Sequence, residues 1–223
     1  MRITDAKQLL SICFSLAITA ACLFGAAGRL DWSNAWMLLG LSLLTGLAFT
    51  LGRDPELAAE RRNVQAGKSW DKALVGVTVL LGPMAMWITA GLDFRFHGSS
   101  RLSAAASAAG VAAAVLGAAL TAWAMRANRF FSSVVRIQKE RGHTVVEGGP
   151  YRFVRHPGYT GMAAFTLATP LILGSGWAFA PAAVTVSATV LRTLLEDRTL
   201  HDELDGYAGY ARRVRYRLLP AVW

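Results

Sequence analysis

The chain has 223 residues, 54% of them hydrophobic and only 17% charged, with a mean hydropathy of +0.38, whereas an ordinary soluble domain carries nearer about 25% charged residues. Its net charge of +9 would suggest nucleic acid as the partner of a soluble protein. Here the basic residues fall between long apolar runs, so inside-positive membrane topology explains them and nucleic-acid binding is not needed.

Apolar stretches of about 18 or more residues with few charges read as membrane-spanning helices. In chain order the first runs from about Gln8 to Gly28, the second from Ser33 to Gly52, the third from Ala73 to Leu92 and the fourth from Leu102 to Met125. Residues 1–28 share features with a secretory signal, but the apolar run is long for one and further spans follow. Cys13 and Cys22 lie nine residues apart in this first helix, on different faces, and read as small hydrophobes. Segment 53–72, "RDPELAAERRNVQAGKSWDK", is expected to form a short amphipathic cap opened at Asp54-Pro55, its mixed charges facing solvent. In the fourth span, Ser107, Gly110, Ala114, Gly117 and Ala118 place small residues at helical spacing, which favours close helix packing within the chain over a dimer motif.

A fifth region, 161–191, holds no charge and is too long for one upright span. Pro170, Gly174, Gly176 and Pro181 interrupt it, so it is expected to be a helical hairpin, with a single tilted helix as the alternative. The expected architecture is therefore an all-α integral membrane protein of five to six transmembrane helices. Residues 1–125 hold four spans, and 126–223 form the chemistry-bearing region around the hairpin. With a cytoplasmic N-terminus, segments 1–7, 53–72, 126–160 and 192–223 carry 20 of the 23 Lys and Arg residues, against three on the opposite side. That asymmetry puts both termini and the polar C-terminal blocks on the cytoplasmic face.

The polar blocks flanking the hairpin hold the candidate chemistry. The first, "RGHTVVEGGPYRFVRHPGYTG", offers His143, Tyr151, Arg155, His156 and Tyr159 among turn-forming Gly and Pro. In the second, "LRTLLEDRTLHDELDGYAGYARRV", Arg192 and Glu196 are four apart on one helix face. On spacing alone this pair reads as an i,i+4 ion pair, His156 as an interfacial histidine, and Tyr207, Tyr210 and Tyr216 as an interfacial aromatic belt. No CxxC, Cys/His zinc spacing or other ligand cluster suggests a metal.

From "HTVVEGGPYRFVRHPGY" through Arg192-x-x-x-Glu196 to "GYAGYARRVRYRLLP", the sequence resembles the isoprenylcysteine carboxyl methyltransferase family of integral-membrane methyltransferases, relatives of the phospholipid N-methyltransferases. The likeness is strongest over about residues 128–220. It implies S-adenosylmethionine as methyl donor, held at the cytoplasmic face. It also implies cofactor contacts at His143, Thr144, Val145, Val146, Tyr151, His156, Pro157, Gly158, Tyr159 and Glu196. Gln138 is the nearest candidate for a further glutamine contact, offset by two residues from the family position. The resemblance places the substrate-side arginine at Arg192, with Arg155 and Glu196 as further catalytic candidates, and puts Asp197 where the family commonly has a second glutamate. The implied acceptor is a lipidic or amphipathic molecule from the bilayer. A prenylcysteine-like carboxylate leads, and a lipid amine or a thiol stays open within the family. The string RHPxY also occurs in NADPH-dependent membrane sterol reductases, which are the alternative outside it; for that reading Arg212, Arg213 and Arg215 would bind the 2′-phosphate.

Overall fold

A computed structural model describes residues 3–50, 65, 67–97 and 102–223, and among these every regular element is helical. The elements are α1 (Ile3–Ala27), α2 (Ser33–Thr50), α3 (Ser69–His97), α4 (Ala104–Ala127), α5 (Pro157–Leu173), α6 (Phe179–Glu203) and the short α7 (Tyr207–Arg213). Within α3 the stretch Gly76–Leu81 winds as a wider π-helix. Gln8–Ala27, Ser33–Thr50, α3 and α4 are long and apolar enough to cross a membrane. All four expected spans fall on them, and α3 extends beyond its expected bounds because Ser69–Lys72 and Asp93–His97 stay helical at either end. Leu10, Phe14, Leu44, Leu81, Leu116 and Val184 are among the large apolar side chains left outside the packed interior. Such an apolar exterior suits lipid rather than water. The cap expected at Asp54-Pro55 lies outside the described residues.

Region 161–191 folds as the expected helical hairpin, α5 and α6 joined by residues 174–178. The turn is made at Gly174, whose φ of +72° is left-handed, with its N–H donating to Leu171 O and that of Ser175 to Pro170 O. This closure satisfies the carbonyls at the end of α5. Pro170 and Pro181 do not make the break. Pro170 sits inside α5, and Pro181 sits in the first turn of α6, where a missing N–H costs nothing.

The apolar core joins α1, α2, α3, α4, α5 and α6 through Leu23, Leu38, Met86, Ala114, Ile172 and Ala182, all nearly inaccessible. On α4, Ser107, Gly110, Ala114, Gly117, Thr121 and Ala124 form one buried stripe. It packs against α5 within the chain. A Cβ on Gly161 would lie 2.4 Å from Gly117 O, so the two backbones touch where any side chain would separate them. Asn34 Nδ2 reaches across to Ile172 O at 2.8 Å, and Ser107 Oγ to Leu171 O at 3.1 Å, so α2 and α4 are tied to the same end of α5. Near that end, buried Asp93 accepts hydrogen bonds from Ser175 Oγ at 2.6 Å and meets His97 Nδ1 at 2.8 Å. This packing leaves both polar blocks, 128–156 and 196–218, together at the other end of the bundle.

Candidate functional site

The two blocks form one cleft. Asn128 caps the end of α4, and the chain then runs without regular structure as a strap, 128–138, before turning at Lys139–Arg141 and Gly142. The next residues, His143–Val146, line the cleft beside the strap residues Phe130, Phe131, Val134, Val135 and Arg136. Tyr151, Arg155, His156, Gly158 and Tyr159 line a second side, and Glu196, Leu200, Leu204, Tyr207 and Tyr210 a third. The cleft is open at its mouth, with about 820 Å³ of space between its walls that includes open solvent. Nine of the expected cofactor contacts are thus brought together: His143, Thr144, Val145, Val146, Tyr151, His156, Gly158, Tyr159 and Glu196, joined there by Arg155. Gln138, Pro157 and Arg192 stand outside this lining.

Each of those three has a structural engagement. Buried Gln138 donates from Nε2 to Phe130 O at 2.7 Å and accepts from the Arg141 guanidinium, bracing the turn after the strap. Pro157 starts α5, where its fixed φ suits the first helical position. Arg192, 3% exposed, donates from Nε to Asp71 Oδ1 at 2.6 Å, and from Nη2 to Asp71 Oδ2 at 3.1 Å and Ser133 O at 2.7 Å. The i,i+4 pair read from spacing is therefore not made: Glu196 instead accepts from Tyr159 OH at 2.5 Å. Arg192 lies 5.1 Å from the centre of the Tyr159 ring, a cation–π contact, and His156 stacks on that ring at 5.9 Å.

Asp197 organises the floor. Its carboxylate, 3% exposed, accepts from Arg155 Nε and Nη2 at 2.8 and 2.9 Å, Arg217 Nε at 2.8 Å and Tyr207 OH at 2.8 Å, and meets His156 Nε2 at 3.2 Å. Burial alone would raise its pKa. The hydrogen bonds from His156 and Arg155 outweigh that and hold the carboxyl far below the ordinary range. Burial, and then the Asp197 charge, push the Tyr207 phenol well up, so it remains a donor. Arg155 also donates to Val214 O and Arg215 O, and the N–H groups of Arg155 and His156 bond Tyr216 O and Arg217 O. Tyr210 OH donates to Tyr151 O at 2.7 Å. The C-terminal segment is thus laced to the Tyr151–His156 turn, and Arg155 lines the cleft while serving as the main rivet.

His143 accepts the Gln138 N–H at Nδ1 (3.2 Å), which assigns the proton of the neutral ring to Nε2. Burial, and then Arg136 and Arg141 nearby, lower its pKa to about 4, so the ring is neutral at pH 7.

Several residues of the site carry no local mark in the sequence. Asp71, in the segment expected to present a solvated face, is fully buried and paired with Arg192. Tyr207 and Tyr210, expected in an interfacial belt, are both buried, Tyr207 on Asp197 and Tyr210 on Tyr151 O. The available signal was the pairing of excess arginines with the few acids beside the apolar runs, since charges there must find partners.

Residues 110–204, which contain most of the cleft, match the isoprenylcysteine carboxyl methyltransferase family. Among curated proteins, the chain is 29% identical over 139 residues to protein-S-isoprenylcysteine O-methyltransferase from Rattus norvegicus, covering 59% of this chain and 47% of the relative. The Mus musculus protein of that name matches to the same extent. A probable protein-S-isoprenylcysteine O-methyltransferase from Oryza sativa subsp. indica is 40% identical over 47 residues, 21% of this chain and 25% of that protein. The match spans about half the length of the mammalian relatives. The segment 110–204, which carries most of α4, the strap, the RHPGY turn and the hairpin, is therefore similar to the isoprenylcysteine carboxyl methyltransferase family.

Proposed function

We propose that the protein is a membrane-embedded methyltransferase that takes S-adenosylmethionine in this cleft and methylates a lipidic or amphipathic acceptor drawn from the bilayer, a prenylcysteine-like carboxylate first among them. In this reading the α5–α6 hairpin also crosses the bilayer, both termini are cytoplasmic and the cleft opens at the cytoplasmic face, where Lys and Arg concentrate. The observation that carries it is the convergence of His143–Val146, Tyr151–Tyr159 and Glu196 on one cavity.

The donor set suits the cofactor. Tyr151, Tyr159, Phe130 and Phe131 offer aromatic surface for adenine and for a sulfonium. Glu196 supplies a carboxylate for the ribose hydroxyls or to balance positive charge. Main-chain groups around Val145 and Val146 can meet the adenine edge. The cofactor supplies an activated methyl group on its sulfonium. The chain's part is alignment and exclusion of water, the main demands of an in-line displacement. Tyr159, gripped between Glu196, Arg192 and His156, is fixed in place. The strap phenylalanines close one wall. A carboxylate acceptor is already ionised at neutral pH and needs no general base. An amine or thiol acceptor would need one, with His156 and Glu196 the nearest candidates.

The test is transfer of a labelled methyl group by the purified protein to three acceptors in turn: an S-prenylated N-acylcysteine, an aminophospholipid and an alkyl thiol. The proposal expects label in the first as a base-labile ester. Label only in base-stable products would move the acceptor to an amine or thiol, and no label in any would remove the methyltransferase reading.

A further inference from the structure

We propose that Asp71 is a positioning residue for the cleft: with Arg192 it fastens the strap 128–138 to α3 and α6 and so holds the wall formed by Phe130–Arg136. Asp71 lies outside the family match, which begins at residue 110. It sits in the first turn of α3, fully buried. Its carboxylate makes two kinds of bond. It takes the Arg192 fork, and its Oδ2 accepts the Val135 N–H at 2.6 Å. The strap is pinned at two more points: Lys68 N–H donates to Val135 O at 3.1 Å, and Arg192 Nη2 reaches Ser133 O at 2.7 Å. Ser133 and Val135 are therefore tied by three hydrogen bonds to groups from 68, 71 and 192.

The fit is close. A Cβ on Gly67 would lie 2.6 Å from Val134 Cβ, so this backbone presses directly on a cleft-lining residue. With its Nε and Nη2 engaged by Asp71, Arg192 acts on the site through the strap and through the face of Tyr159. A charged pair is the fitting device here. One carboxylate satisfies a guanidinium and a main-chain N–H at once in a fully buried place, and each partner is costly to leave alone.

The effect on cofactor affinity rests on the proposed reading of the cleft; the ordering of the strap does not. The experiment uses the full chain in detergent with Asp71→Asn, Arg192→Gln, the double variant and Gly67→Ala. Hydrogen exchange of peptides covering 128–138 and 104–127, melting temperature, and calorimetric affinity for S-adenosylhomocysteine are measured on each. Asp71→Asn and Gly67→Ala should raise exchange in 128–138 at least tenfold while 104–127 stays protected, and should weaken S-adenosylhomocysteine at least tenfold. The double variant leaves no uncompensated charge, so its melting temperature should recover towards wild type while strap exchange and the affinity loss persist. A strap as protected as wild type in Asp71→Asn and Gly67→Ala, or a double variant restored in both stability and affinity, would overturn the positioning role. If the wild type fails to bind S-adenosylhomocysteine while the strap loosens as stated, the cofactor reading falls and the strap role stands.

Discussion

At the scale of single residues, the site rests on a few acids that each satisfy several donors. Asp197 serves Arg155, Arg217, Tyr207 and His156, so its removal strands the buried Arg155 guanidinium and releases the partly exposed Arg217. Asp197→Ala should therefore cost about 3–5 kcal/mol, seen as a large fall in melting temperature with loss of the folded C-terminal segment; a melting curve like wild type would remove Asp197 from its central role. His143 gives a pH dependence of defined sign. Its folded pKa of about 4 lies below the ordinary value of 6.5. Between these values the unfolded chain binds a proton that the folded chain refuses. The stability His143 contributes is full above about pH 6.5 and is lost as the pH falls to about 4. Melting temperatures measured from pH 7 to 4 should decline, and His143→Gln should flatten that decline; an unchanged slope would show that His143 does not titrate in this window. Asp197, held lower still, contributes its own loss only below the ordinary carboxylate range. Roles of this kind were the least legible in the sequence. Asp71 and Arg192 are 121 positions apart, and nothing local marks one as the other's partner.

At the scale of elements, most of the fold was legible because lipid-crossing helices need long apolar runs. The four apolar spans and the hairpin followed from hydropathy, Gly174 and the absence of charge over 161–191. The proline positions misled because proline is harmless in a first turn and tolerated within a packed helix, whereas the left-handed turn needs glycine. The small-residue stripe of α4 was legible as packing, and its partner is α5. The Gly117–Gly161 contact leaves no room for a side chain. Gly161→Val should prise α4 from α5, lowering thermal stability in detergent and, because α5 carries the RHPGY turn at its start, weakening ligand binding in the cleft. Unchanged melting and binding would mean that the crossing adapts to added volume.

At the scale of the whole molecule, the helices bring together two polar blocks that the sequence separates by an uncharged hairpin. The cleft joins Val145 to Glu196 and Phe130 to Tyr207, pairs that no local pattern connects. Charge distribution orients the proposed topology. A tag at the C-terminus should be reachable by an impermeant reagent only from the cytoplasmic side of sealed vesicles; labelling only from the opposite side would invert the arrangement. The central claim, that the cleft binds the adenosyl cofactor, is tested most directly by calorimetry on the purified protein with S-adenosylhomocysteine and with NADPH, for wild type and Glu196→Ala. The account predicts binding of S-adenosylhomocysteine to wild type, at least a tenfold loss in a folded Glu196→Ala variant, and no binding of NADPH. Binding of NADPH alone would contradict it and place the RHPGY turn in a reductase site instead.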